Sequence, residues 1–270
     1  MPPSQNHPAT GVFDGYAEYY DLLYRDKDYA REAEFVHSQL KAGSVAGPTL
    51  LELGCGTGRH AVEFSRLGYQ VTGVDLSDGM VRQAKARAMA LPAGQASLLK
   101  FQIGDVRTVR IPQVFDTVVS LFHVMNYQTS AADLRSAFRT ASHHLQTGGL
   151  FLFDFWYGPA VLSDPPVVRV KRLESESIQA TRIAEPVIHP NQNLVVVNYH
   201  IFIRNQRTQE VSEVREAHPM RYLFLPEIEN HLAAENLNLI ATGAWDSPKQ
   251  LDNDTWYGWV LARKAASSTP

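Results

Sequence analysis

The chain has 270 residues, is 44% hydrophobic and carries a formal net charge of -3, enough apolar content for one substantial core but no basic field with which to neutralise a nucleic-acid backbone. Its single cysteine, Cys55, excludes an intramolecular disulfide. No apolar run approaches the ~18 residues of a membrane span, and the opening Met-Pro-Pro-Ser-Gln-Asn-His-Pro lacks the charged-then-apolar order of a signal peptide, so a cytoplasmic protein with neither membrane nor nucleic acid as partner is expected.

Residues 1–11 and the tail from Ala265 to Pro270 are small, polar or proline-bearing, the composition of disordered or frayed ends. Residues 12–42 carry Tyr16, Tyr19, Tyr20, Leu22, Leu23, Tyr24 and Tyr29, then Phe35, Val36 and Leu40 at helical spacing, which predicts a helical cap ahead of a sheet. From Thr49 onward strands and helices alternate. Leu50 to Leu53, Tyr69 to Val74, Leu98 to Ile103, Phe115 to Leu121 and Leu150 to Phe155 are apolar runs of strand length. Arg59 to Leu67, Ser77 to about Met89, and a stretch with Leu134, Phe138, Ala141 and Leu145 on one stripe are predicted helices, the last stopping at Gly148-Gly149. This alternation predicts an α/β fold, a Rossmann-like, mostly parallel sheet with helices on both faces and ligands beyond the carboxyl ends of the strands.

The pattern then changes. Val167 to Tyr222 reads as strands without intervening helices, clearest from Leu194 to Ile203 between turns at His189 to Asn193 and Asn205 to Arg207. Pro226 opens a further helix to about Glu235, and Leu237 to Trp245 and Trp256 to Ala262 complete a main sheet of seven strands. The expected organisation is a main domain of residues 12–164 and 223–264, including the cap, with an antiparallel β insertion at 165–222 acting as a lid over an acceptor site.

The run from Leu50 to Gly58, followed by Gln70 to Asp75, gives a buried strand, a glycine turn, a helix and a second strand ending on a carboxylate, which is half of a nucleoside site. Gly54 and Gly56 let backbone approach a ligand closely, and Asp75 can accept from both ribose hydroxyls. A nicotinamide fingerprint would need a third glycine where Arg59 stands. Glu52 would repel a pyrophosphate but suits the cationic amino group of a methionine moiety. The spacing therefore points to S-adenosylmethionine as cofactor and S-adenosylhomocysteine as product. Acid-x-Gly-x-Gly-x-Gly, with a second acid 23 residues after the first, resembles motifs I and II of the class I methyltransferases. Asp105, at the end of the third strand, suits a hydrogen bond to the adenine amino group, and Met80 suits the adenine face. Cys55 fills space between two glycines, and it, Leu76 and Leu121 are expected at the cofactor.

Methyl transfer from a sulfonium is an in-line displacement, so the protein mainly aligns donor and acceptor and excludes water. Leu121-Phe122-His123-Val124-Met125-Asn126-Tyr127 leaves the fourth strand beside the expected methyl position. It is not the Asn-Pro-Pro-Tyr loop that holds a flipped base. His123 is the candidate general base. A sugar hydroxyl needs a base and an amine needs little, so His123 favours oxygen as the acceptor atom. His143 and His144, on a helix, and His200 and His218, on the lid, are expected to be structural or solvent-facing, although a lid histidine can touch an acceptor. Asp154 and Asn126 could contribute to a metal site, but no third ligand stands out, and no metal is expected.

Tyr16-Ala17-Glu18-Tyr19-Tyr20-Asp21, Lys27-Asp28-Tyr29, the loop from Glu52 to Gly58, that from Phe122 to Tyr127, and Asp154-Phe155-Trp156-Tyr157 before an antiparallel insertion together resemble a narrower group. They look like the sugar N,N-dimethyltransferases that modify nucleotide-linked deoxyamino sugars and related methyltransferases of bacterial polysaccharide gene clusters. The resemblance implies that Tyr20, Tyr29, Gly54, Gly56, Asp75, Met80, Asp105 and Val106 touch the cofactor, and that Phe122, Asn126 and Tyr127, with Tyr16 and Trp156, flank the acceptor. The expectation is a methyltransferase of a small polar acceptor, a sugar or nucleotide-linked (amino)sugar. A methyltransferase of another small amine or metabolite, or a non-catalytic S-adenosylmethionine-binding protein, is the alternative. A homo-oligomer is compatible with the sequence.

Overall fold

The computed structural model describes residues 17–266. The expected disordered segment 1–11, Tyr16 and the side chain of Tyr19 lie outside the described residues. Two helices come first, α1 (Ala17–Leu23) and α2 (Tyr29–Ala42), the second capped by the Asp28 carboxylate, which accepts from the Arg31 N–H at 3.0 Å. Next come β1 (Thr49–Leu53), α3 (Arg59–Arg66), β2 (Gln70–Asp75), α4 (Asp78–Met89), the one-turn α5 (Ala93–Ala96) and β3 (Leu99–Ile103). β4 (Phe115–Ser120), α6 (Ala131–His144), β5 (Leu145–Trp156) and α7 (Gly158–Ser163) follow. Four strands then run without an α-helix, β6 (Arg169–Glu174), β7 (Ile178–His189), β8 (Leu194–Asn205) and β9 (Val211–Arg221), before α8 (Leu225–Ala234), β10 (Leu237–Ala244) and β11 (Tyr257–Lys264).

The main sheet has the order β10-β11-β5-β4-β1-β2-β3, and only β11 runs against its neighbours. The strand order reverses between β1 and β4. A crevice therefore opens beyond the carboxyl ends of these two strands, where the glycine loop and the loop after β4 both emerge. Strand alternation decides which residues meet which helices. Leu51, Leu53, Val118, Phe151 and Phe153 pack on α6 and α8, whereas Leu50, Val119 and Leu152 pack on α2, α3 and α4. Glu52, between Leu51 and Leu53, takes the second side and is buried near His60 of α3.

One boundary departs from expectation. α6 stops at His144 rather than at Gly148-Gly149, and Leu145 already belongs to β5, paired with Phe115. Gly148, at φ +79°, sits where the β4–β5 register shifts, so the glycine pair marks an irregularity within a strand instead of a helix end. The short α7 and a single 3-10 turn at Val124–Tyr127 were not predicted, since neither is long enough to show a period.

The second sheet, β6-β7-β8-β9, is antiparallel throughout. Its inner face is apolar at both ends. Leu173, Ala180, Ile201 and Ile203 pack with Leu23 and Met80, while Val195 and Val197 pack with Val161 and Tyr222. Between these patches the same face carries Tyr199 opposite Glu216, Val197 opposite His218, and Arg182 opposite Ile201. This sheet, expected as a lid, thus has a polar middle framed by greasy ends. Among the described residues no helix is long and apolar enough to cross a membrane.

Candidate active site

A narrow pocket of about 30 Å³ lies in the crevice. Tyr20 and Tyr29 of the cap, Gly54, Cys55 and Gly56 of the turn, and Leu121 just after β4, all expected at the cofactor, are on its wall. Thr57, Arg59, His60 and Phe122 are there too; the first three were not anticipated at the cofactor, and Phe122 had been assigned to the acceptor. Gly54 has φ +81°, and a Cβ there would lie 2.4 Å from Val124 Cγ2, so both conformation and packing demand glycine. Gly56, at φ +52°, would place a Cβ in open space.

Asp75 ends β2 beside this turn. Its Oδ2 accepts from the Gly56 N–H at 2.8 Å and its Oδ1 from the Ser77 N–H at 3.0 Å. Burial raises its pKa, and the N–H groups of Ser77, Gly56 and Leu76 only partly oppose this. Glu52 is deeper, 1% exposed; burial, reinforced by the Asp75 charge, pushes its carboxyl well above the usual range. Its Oε1 is 3.8 Å from His60 Nδ1, and its buried Oε2 has no partner among the described residues. His60 Nε2 lies 2.7 Å from Glu32 Oε2, and Lys27 also bonds Glu32. Burial raises the Glu32 pKa, but the His60 hydrogen bond and the charges of His60 and Lys27 outweigh it and hold that carboxyl at about 2. Tyr29 Oη is likewise buried and without a partner among the described residues.

The cap is tied to the turn through Asp21 of α1. It accepts from Thr57 Oγ1 at 2.8 Å and Arg59 Nε at 3.1 Å, and pairs with Arg87 of α4. Six predicted cofactor residues are not on the pocket wall: Glu52 and Asp75, described above, and Leu76, Met80, Asp105 and Val106. Leu76 is half-buried beside Asp75, Met80 is 2% exposed among Leu23, Leu173 and Ile201, and Val106 is packed in the core under α6. The Asp105 carboxylate, expected to meet an adenine amino group, accepts from Arg107 Nε at 3.0 and 3.1 Å and from Arg107 Nη2 at 2.6 Å, while Arg107 Nη1 reaches Asp133 at 3.1 Å. Burial raises the Asp105 pKa, but these bonds lower it further than burial lifts it.

Across the crevice, Phe122 and His123 take consecutive left-handed conformations, at φ +66° and +67°. For non-glycine residues such backbone persists only where the surroundings hold it. Asp154, at the end of β5 and 2% exposed, provides the hold: its Oδ1 accepts from the His123 N–H at 2.9 Å, and its Oδ2 lies 2.9 Å from His123 Nδ1. The imidazole stacks on Tyr257 at 4.8 Å and 15°, with the Trp156 ring 6.0 Å away. Trp156 keeps a buried indole N–H without a partner among the described residues. Phe122 meets Tyr24 edge-on at 4.9 Å, with the Lys27 ammonium 4.3 Å above its ring. Sequence reasoning missed Asp154 as the partner of His123, because 31 residues separate them.

Asn126 is placed differently from expectation. It is fully buried, its Nδ2 donates to the Arg221 carbonyl of β9, and its Oδ1 accepts from the Trp156 N–H at 3.2 Å. Its amide therefore staples loop, lid and β5 together. Tyr127 Oη lies 2.8 Å from His218 Nδ1. Of the other histidines singled out, His144 is buried, with Nδ1 2.8 Å from the Thr140 carbonyl and Nε2 accepting from the Ile111 N–H at 2.9 Å, a structural role. His200 pairs with Glu213 on the outer face of the lid.

Residues 50–149 match the model of a methyltransferase domain. The chain is 29% identical over 202 residues to the dTDP-3-amino-3,4,6-trideoxy-alpha-D-glucopyranose N,N-dimethyltransferase of Streptomyces venezuelae, covering 74% of this chain and 81% of that one. It is 27% identical to the dTDP-4-amino-2,3,4,6-tetradeoxy-D-glucose N,N-dimethyltransferase of Saccharopolyspora spinosa, over 69% of this chain and 72% of that one. Among solved structures, the sugar N-methyltransferase KedS8 of a Streptoalloteichus species superposes with a TM-score of 0.76 at 22% identity, covering 98% and 100% of the two chains. An S-adenosylmethionine-dependent methyltransferase of Clostridium acetobutylicum gives 0.77 at 23% identity, covering 93% and 98%.

Proposed function

Given that the chain is an S-adenosylmethionine-dependent methyltransferase of the class I fold, we propose that it methylates the amino group of a nucleotide-linked deoxyamino sugar. The observation that carries this reading is the match to N,N-dimethyltransferases of dTDP-amino sugars, which runs through most of both chains. Nitrogen replaces the oxygen that His123 alone favoured.

The residues present fit the cofactor. Two buried polar atoms, Glu52 Oε2 and Tyr29 Oη, await a polar ligand group, and Asp75 stands at the end of β2. When bound, S-adenosylmethionine supplies a methyl group on a sulfonium, activated for in-line displacement. In this reading Asp75 accepts from the ribose hydroxyls, exchanging its bond to the Gly56 N–H for them, and Glu52 faces the methionine ammonium. The aromatic cap of Tyr20, Tyr24 and Phe122 excludes water from the reacting centre.

On the acceptor side, the Asp154 carboxylate lies 2.9 Å from His123 Nδ1, not aligned as a hydrogen bond, and its charge favours a proton on that nitrogen, leaving Nε2 to accept an amine N–H and turn the nitrogen lone pair toward the methyl group. Trp156 and Tyr257 form the wall beyond it. Asn126 acts by holding this wall, and residues 165–222 close the chamber from above.

Two measurements test the reading. S-adenosylhomocysteine raises the melting temperature while NAD does not; a shift with NAD alone sinks the cofactor assignment. With isotopically labelled cofactor and a panel of nucleotide-linked sugars, label appears on amino sugars and not on their hydroxyl counterparts. Label on the hydroxyl compounds alone overturns the choice of nitrogen.

A further inference from the structure

Three side chains not used above are joined across the seam between the loop after β4 and the lid. Tyr127 Oη lies 2.8 Å from His218 Nδ1, and His218 Nε2 lies 2.9 Å from Glu216 Oε2. The His218 side chain is 1% exposed and that of Glu216 6%. They stand two residues apart on β9, on the inner face and in its polar middle. The Tyr127 phenol is within electrostatic reach of Tyr20, which lines the donor pocket, and of Tyr24 and Tyr199.

The direction of these bonds follows from their chemistry. A carboxylate only accepts, so His218 Nε2 carries the proton and Nδ1 is left as an acceptor. Tyr127 is then the donor in the bond to Nδ1. With its proton committed inward, the phenol has only acceptor capacity left for other groups.

We propose that Tyr127 is a second acceptor for the amine N–H, backed by His218 and Glu216 as a proton relay that discharges the ammonium formed by each methyl transfer. This rests on the amine reading of the preceding section. After transfer the nitrogen is cationic. One N–H bond breaks, its electron pair stays on nitrogen, and the proton passes to Tyr127 Oη. The original Oη–H bond breaks in concert and its proton moves to His218 Nδ1, giving an imidazolium beside the Glu216 carboxylate, the same division of roles as in a hydroxyl–imidazole–carboxylate triad. Tyrosine ends as it began, and the neutral monomethylamine can attack a second donor. The relay resets when the proton returns through Tyr127 to water after product leaves.

A primary amine has two N–H bonds to orient, and His123 Nε2 and Tyr127 Oη, on the same loop, provide one acceptor for each. The charged and titratable groups facing the cluster are Tyr20 from α1, Tyr24 from the turn after it, Tyr199 from β8 and Arg182 from β7, whose guanidinium lies 4.9 Å above the Tyr199 ring. Burial raises the Tyr127 pKa well above its ordinary value, so the group works as a phenol that passes a proton on, never as a standing phenolate.

The test uses the full chain with dTDP-3-amino-3,4,6-trideoxy-alpha-D-glucopyranose as probe, resolving mono- and dimethyl products by mass. Tyr127→Phe keeps the ring and removes Oη. The second transfer should slow on the order of a hundredfold, the lower end for a positioned proton acceptor, so that monomethyl product accumulates. The loss should ease at high pH, where solvent takes the proton, and exceed any rise in acceptor KM, while the thermal shift with S-adenosylhomocysteine is retained. Glu216→Gln should give a smaller loss of the same kind. Wild-type product ratios and pH profile in Tyr127→Phe overturn the relay. If the wild type leaves the probe unmethylated, the amino-sugar reading fails for that probe, and the relay is judged by the nitrogen NMR shifts of His218. A neutral Nε2–H form supports it; an Nδ1–H form overturns it whatever the turnover.

Discussion

Asp154→Asn isolates what holds the histidine of the acceptor loop. The substitution preserves shape, and its amide oxygen can still accept the His123 N–H now bonded at 2.9 Å. The amide nitrogen, however, would face His123 Nδ1, where the carboxylate oxygen now lies at 2.9 Å. Nδ1 is then forced to accept, the ring proton moves to Nε2, and the nitrogen offered to the acceptor becomes a donor. The pair is not aligned as a hydrogen bond before ligands bind; formed in the transition state, a bond to the charged carboxylate contributes ~1.5–3 kcal/mol, and losing it corresponds to a fall in kcat of roughly 10- to 150-fold. The backbone sets a second expectation. Two left-handed non-glycine residues, Phe122 and His123, cost ~1–3 kcal/mol each, so Asp154→Ala, which also orphans the His123 N–H, should lower the melting temperature where Asp154→Asn barely does. Initial rates at saturating labelled cofactor, with melting curves in S-adenosylhomocysteine as the folding control, measure both. A folded Asp154→Asn protein with unchanged kcat would refute the argument and leave His123 as a wall of the chamber.

Other outcomes follow from single contacts. Because burial and Asp75 raise the Glu52 pKa, the folded protein binds that proton more tightly than the unfolded chain. Stability is complete below the ordinary carboxylate pKa and is lost as pH rises toward the raised value; melting curves of ligand-free protein should show this decline, and Glu52→Gln should flatten it, whereas equal slopes would contradict the assignment. Asp75→Ala should weaken S-adenosylhomocysteine binding by about tenfold or more, read by calorimetry, through loss of charge-assisted ribose bonds. Gly54→Ala meets Val124 Cγ2 at 2.4 Å in a left-handed conformation and should cost ~1–3 kcal/mol in urea unfolding. Asn126→Ala strips the Arg221 carbonyl and the Trp156 N–H of their partners; each orphaned group costs ~1–3 kcal/mol, so the unfolding midpoint falls. A variant of native stability would return Asn126 to the acceptor.

Much of the sheet is legible in the chain because each strand is a short apolar run bounded by turn residues, and Ser77 and Ser130 announce α4 and α6 by accepting from Met80 N and Asp133 N. The donor half is legible for the same local reason: Glu52, Gly54, Gly56 and Asp75 lie within 24 consecutive residues. What escapes is contact between distant segments. Nothing near His123 announces Asp154 or Tyr257, and nothing near Tyr127 announces His218. Asn126 looks like a ligand-binding amide until the lid strand it grips is in view. Asp105 looks like an adenine partner until the Arg107 fork folds back onto it, and Gly148 looks like a stop because a glycine in a bulge and a glycine after a helix leave the same mark in a sequence.

The two-residue alternation of the lid has a consequence for how such an enzyme changes its substrate. Arg182 of β7, Tyr199 of β8 and Glu216 and His218 of β9 share the inner face, while their immediate neighbours in the chain face away and the greasy ends of the same face anchor the sheet. None of the four belongs to the turn or strands that carry the donor site. With this face over the acceptor, as proposed above, acceptor preference can drift by single replacements at a few inward positions, with the machinery for the donor inherited unaltered. A shift of register by one residue, in contrast, would turn the whole chamber wall outward at once. Gradual exploration of new acceptors is open to this architecture through substitution and closed to it through insertion.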